Sequence, residues 1–147
     1  MNELTARRID SELEDGSTCE ALELLIDGES LIERVGRHEA PLATREGHPG
    51  LAAAYAWPAL DDALRAALRS GSEDEADKVA VLECTCGVPG CWPLLVKITV
   101  EPSQVIWSEF EQPHRNEDSA GGHWRYDGFG PFVFARRQYE AALQAMA

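Results

Sequence analysis

The sequence predicts an α+β fold: an antiparallel β-meander packed by three helices. Three observations carry that expectation. Residues 82–100, LECTCGVPGCWPLLVKITV, hold a tight turn and then the most regular apolar alternation in the chain, as a half-buried strand requires. Residues 105–110 form a second run of β-branched and aromatic side chains, the composition favoured in strands. Two apolar stripes at helical spacing, Leu60/Leu64/Ala67/Leu68 and Tyr139/Leu143/Met146, supply helices to cover the sheet.

Taken in order, residues 1–18 show no sustained stripe and read as a weakly ordered arm. Residues 21–26 read as a strand of the meander, with Leu22, Leu24 and Ile26 on one face and the Asp27-Gly28 turn signal at its end. Ser30 then caps a helix over 30–38, with Glu33 as capping-box partner and Leu31, Ile32 and Val35 on its apolar side; Gly36 or Pro41 limits it. His38 reads as a surface or capping group, residues 44–50 as a loop, and the small apolar run 51–57 as a segment against the core. Pro58 starts a helix over 58–70, acidic at Asp61 and Asp62, basic at Arg65 and Arg69, and stopped by Gly71. The acidic run 73–77 reads as a solvated connector; it lacks the glycine and the distant glutamate of a calcium loop.

Strands 79–86 and 91–100 meet at Gly87-Val88-Pro89-Gly90, where proline and glycine suit the two corners. With those four residues as the loop, Cys86 faces Cys91, Cys84 faces Pro93, Leu82 faces Leu95 and Ala80 faces Lys97. Alternation puts Val79, Val81, Trp92, Leu94, Val96, Ile98 and Val100 on one face and the three cysteines on the other. A strand over 105–112 pairs Val105 with Val100 and Trp107 with Ile98. The same register sets Phe110 against Leu95, Gln112 against Pro93 and His114 against Cys91. Residues 115–122 form a polar loop over the cysteine end, 123–126 and 132–134 short strands, and 135–146 the closing helix. At 147 residues the chain suits one domain with a proper core.

The convergence of Cys84, Cys86, Cys91 and His114 is the sequence's one candidate site. Three thiols and an imidazole are a structural zinc set, although C-x-C-x₄-C is a tighter first spacing than the usual knuckle. His123 is the alternate fourth ligand. Two other readings compete. Unpaired cysteine packs as a small hydrophobe at a crowded hairpin tip. Alternatively, Cys86 and Cys91 act as a thiol-disulfide redox pair, although no Lys or Arg lies in the loop to acidify a thiol. Cys19 stands apart.

Composition narrows the function. A net charge of −13 and pI near 4.6, with Lys78 and Lys97 the only lysines, argues against nucleic-acid binding. No run approaches the ~20 apolar residues of a membrane helix, and the polar start of the chain lacks a secretory signal. The expectation is a cytoplasmic protein with reduced thiols and no membrane association. Hydrolase, nucleotide-binding and metalloprotease signatures are absent. His123, Arg125, Tyr126 and Asp127 are neighbours in sequence, but alternation along a strand sends them to opposite faces. Trp57 and Trp124 suit either the core or a protein interface. The favoured reading is a small acidic binding or regulatory module, with a protein partner and a zinc-stabilised cysteine cluster; the alternative is the Cys86/Cys91 redox enzyme.

The string Leu82-Glu83-Cys84-Thr85-Cys86-Gly87-Val88-Pro89-Gly90-Cys91-Trp92-Pro93, with Val105-Ile106-Trp107 and Phe132-Val133-Phe134 before Tyr139, resembles a group of uncharacterised small bacterial proteins. The resemblance covers mainly residues 79–143 and implies no catalytic residue.

Overall fold

A computed structural model describes residues 1–72, 77–88 and 90–146. Strands β1 (Leu4–Glu12), β2 (Thr18–Ile26) and β3 (Glu29–Ser30) form one antiparallel sheet and lead into helix α1 (Leu31–Glu46). Strand β4 (Tyr55–Ala56) and helix α2 (Asp62–Ser70) follow. Strands β5 (Val79–Cys84), β6 (Leu94–Val100), β7 (Gln104–Glu111) and β8 (Phe132–Ala135) then complete a five-stranded antiparallel sheet in the order β4-β5-β6-β7-β8. Helix α3 (Arg136–Ala145) ends the chain. The α+β meander is as the sequence predicts.

The amino terminus is the first correction. Residues 4–12 form a strand, not a loose arm, because β2 supplies a partner that local periodicity cannot reveal. Leu4 and Ala6 bury, and Arg7 and Arg8 pair across the strands with Glu23 and Glu20. Strand β2 therefore belongs to this separate sheet rather than to the meander.

Helix α1 begins as expected, with the Glu33 amide on Ser30 Oγ, but it runs through Pro41 to Glu46. Leu31, Val35, Glu39 and Ala43 all bury at four-residue spacing, and Gly47 in the left-handed region closes the last turn onto the Ala43 and Thr44 carbonyls. Gly36 does not stop the helix; a Cβ there would stand 2.8 Å from the Ala53 Cβ, so glycine permits close packing. Helix α2 starts later than expected. Asp61 is its cap, accepting the Leu64 amide at 2.8 Å. Pro58 and Leu60 instead lie extended against β2, with Leu22 N–H on the Pro58 carbonyl and Leu60 N–H on the Glu20 carbonyl, both at 3.0 Å.

The meander's register also differs. Ala80 faces Leu95 and Leu82 faces Leu94, with a bulge between them that lets adjacent Val81 and Leu82 both bury. Val100/Val105 and Ile98/Trp107 pair as expected. Beyond them a second irregularity, where Glu109 has φ +53°, sets Leu95 against Glu111 instead of Phe110. No strand forms at 123–126, where the Trp124 amide bonds the Arg115 carbonyl at 2.8 Å. The expected acidic connector falls largely on 73–76, outside the described residues.

Both sheets and all three helices bury side chains in one contiguous core. At its centre Trp107 Nε1 donates to the Tyr139 hydroxyl, which donates to the Leu68 carbonyl at 2.6 Å. That chain of bonds ties β7, α3 and α2 together. Among the described residues no helix is long and apolar enough to cross a membrane.

Candidate metal centre

The reversal between β5 and β6 spans residues 85–93, longer than the four-residue loop expected, so Cys86 and Cys91 are not a paired cross-strand couple. Local bonds shape it. Gly87 N–H donates to the Cys84 carbonyl at 3.0 Å and Cys91 N–H to the Val88 carbonyl at 3.2 Å. Gly87 is favoured by its backbone, whose φ is +79°.

This winding brings the Cys84, Cys86 and Cys91 sulfurs within 4.8 Å of one another. Four thiolates at the ~2.3 Å zinc–sulfur distance around a tetrahedron stand ~3.8 Å apart. The observed grouping is within about 1 Å of that spacing. The backbone already prepares the sulfurs for negative charge: Cys86 N–H points at the Cys84 sulfur, 3.5 Å away, and the Val88 amide donates to Cys86. The Val88 amide is the main reason the Cys86 thiol lies below its ordinary pKa, while Glu14 opposes it. Cys91 moves the other way, to about 11, because its thiol donates to Cys86 and Cys84. Cys84 and Cys86 are half-buried and Cys91 is exposed, so the group opens outward through Cys91.

Neighbouring elements brace the turn. Glu14 N–H bonds the Thr85 carbonyl, and Thr85 Oγ1 bonds the Glu14 carboxylate at 2.8 Å. Gln112 Nε2 reaches the Pro93 carbonyl at 2.9 Å, a side-chain contact in place of the cross-strand pairing expected for these two residues.

His114 does return to this end of the molecule, but outside the thiol group. Its Nε2 donates to the Gly90 carbonyl at 2.9 Å, and its ring stacks on Trp92 with centroids 6.1 Å apart. A ring nitrogen that donates to a carbonyl has no lone pair for a metal. His123 is exposed and lines a separate cleft at the end of α1 with Glu46 and Trp124. Among the described residues the ligand group therefore contains three thiols and neither histidine. Loop 115–122 packs on α1 through Arg115 Nε, 2.6 Å from Glu46, rather than over the cysteines. Cys19 lies on β2 opposite Ser11, outside the group.

The sequence reading missed Glu39. Its carboxyl is buried, and Oε2 accepts the Tyr55 hydroxyl at 2.5 Å and the Tyr126 hydroxyl at 2.6 Å, while Oε1 accepts the Ala53 amide at 3.2 Å. Gln112 Nε2 also donates to the Tyr55 hydroxyl at 3.2 Å, joining this network to the cysteine turn through Pro93. Burial pushes the carboxyl above the ordinary glutamate range. Burial likewise raises both tyrosines. A signal existed in the sequence: Glu39 is the one charged member of the stripe Leu31/Val35/Glu39/Ala43. Tyr126 is thus spent on Glu39, whereas Arg125 and Asp127 pair at the surface. Trp124 is buried edge-to-face on Trp92 and belongs to the interior. Comparison with protein-family models, with curated proteins and with solved structures found no match for this chain.

Proposed function

We propose that the protein is a small cytoplasmic binding or regulatory module in which a thiophilic metal ion, zinc before others, staples the cysteine turn. The observation that carries this reading is the grouping of three sulfurs within 4.8 Å, from the end of β5 and the reversal that follows it. Thiolate ligands favour zinc over harder cations. Binding replaces the thiol protons, so the high Cys91 pKa makes affinity fall as pH falls. With Cys91 exposed, the fourth coordination position faces outward and is filled by water or by a side chain of a protein partner. The net charge of −13 suits a partner with a basic surface.

Elemental analysis of protein purified without an affinity metal or chelator, paired with thiol titration before and after metal removal, tests the reading. The expected outcome is about one zinc per chain, with three thiols released by chelation. Cys91→Ser lowers the melting temperature of the metal-loaded protein by several degrees and leaves the chelated protein unchanged. Metal-free protein whose thiols titrate at once removes the proposal. The acidified Cys86 beside Cys91 favours one second reading, the redox pair. Rapid alkylation of Cys86 at pH 6, together with a reversible Cys86–Cys91 disulfide in metal-free protein, would establish that reading instead.

A further inference from the structure

Beside the cysteine turn lies an open cleft of about 400 Å³ between α2, β5 and the β1–β2 turn, within the ~300–1,000 Å³ range of ligand sites. It exists because the side chains facing it are too small to close it: Ala59, Ala63, Ala67 and Ala80 all line it. The half-buried Trp57 and the edge of Leu64 add apolar lining. An aromatic or aliphatic body of bicyclic size fits such a lining.

The charged groups of the cleft are unbalanced. Lys78 reaches it, but its Nζ is 3.2 Å from Glu111 and already paired. Asp61 and Glu83 line the cleft without a basic partner among the described residues. Asp61 caps α2 through the Leu64 amide. Glu83 is the more telling group. The Gly90 amide donates to its carboxyl, yet Oε2 is buried with no hydrogen-bond partner. An acceptor left unpaired beside apolar surface gains most from a charged donor. The acidic protein as a whole repels anions and attracts cations.

We infer that this cleft binds a small organic amine, its apolar body on Trp57 and Leu64 and its ammonium on the Glu83 carboxyl. Cys84 also lines the cleft, but the ammonium contact uses Glu83 and no thiol, so the inference does not require the metal reading. The two sites are nevertheless neighbours: Glu83 holds the amide of Gly90, and Cys91 follows Gly90 in the chain.

Three probes with one ring system separate charge from shape: 1-naphthylmethylamine, 1-naphthylmethanol and 1-naphthylacetate, each titrated calorimetrically at pH 7 into the full chain with and without chelator. The amine is expected to bind in the micromolar range, about tenfold or more tighter than the alcohol, with the acetate weakest. Glu83→Gln, which keeps an acceptor for Gly90, brings the amine to the alcohol's affinity. Ala67→Trp fills the cleft and abolishes binding of all three; if that variant does not fold, Ala63→Trp at an exposed position of α2 does the same at the mouth. An acetate that binds as tightly as the amine, binding that survives the tryptophan variants, or no binding at millimolar probe overturns the inference. None of these results depends on whether zinc is found.

Discussion

Glu39 is the one charged residue that is fully buried among the described residues, and it sits where an apolar residue belongs. Three donors converge on it: two tyrosine hydroxyls and the Ala53 amide. Glu39→Ala orphans all three, and a buried unsatisfied donor costs ~1–3 kcal/mol. The expected loss is ~3 kcal/mol or more in urea unfolding. Glu39→Gln, which keeps an acceptor, costs less. The pH dependence has a definite sign. Burial raises the folded carboxyl above its unfolded value, so its contribution is fully present below the unfolded pKa and is lost as pH rises through the folded one. The stability gap between wild type and Glu39→Gln is therefore expected to be widest near pH 4 and to narrow toward pH 7, and unfolding curves across that range measure it. A gap that widens with pH would mean that Glu39 is held ionised. The stripe at residues 31, 35, 39 and 43 makes the burial of Glu39 legible in hindsight. Its partners, fourteen and more residues away, were not.

At the scale of elements, proline and glycine mark boundaries only when tertiary packing agrees. Pro41 lacks an amide for the helical ladder and costs up to ~3 kcal/mol within a helix. α1 nevertheless continues, because Ala43 buries beyond Pro41 and Gly47 caps the end. Pro41 is exposed, so Pro41→Ala is expected to raise stability by about 1–3 kcal/mol, read as a higher urea midpoint with an unchanged slope. A lower midpoint would show that the proline shapes the helix to suit Glu39. The β5 bulge follows the same logic. Strict alternation exposes either Val81 or Leu82, and one irregularity in the ladder buries both. The expected hairpin register differs on both sides of the bulge: Ala80 faces Leu95 rather than Lys97, and Leu82 faces Leu94 rather than Leu95.

For the whole molecule, the two sheets share one core, with Trp107, Phe134 and Tyr139 among its largest fully buried side chains. Neither sheet keeps a hydrophobic face of its own for independent folding. Unfolding is expected as a single transition, with far-ultraviolet circular dichroism and tryptophan fluorescence tracing the same curve. Separated midpoints would show that the β1–β2–β3 sheet melts on its own. Metal bound at the cysteine turn would shift that one transition upward as its concentration rises.

By itself the sequence determined the α+β class, the meander of β5 to β7, the start of α1, the stop of α2, the closing helix and the crowding of three cysteines on one turn. These follow from local chemistry: alternation, capping groups, and turn residues whose backbone preferences act within a few positions. Tertiary structure alone decided that residues 4–12 are a strand, that α1 passes through Pro41, that His114 donates to Gly90 instead of joining the sulfurs, and that Glu39 is buried between two tyrosines. Each of those outcomes depends on a partner far away in the chain, and burial against that partner outweighs the local preference that the sequence displays.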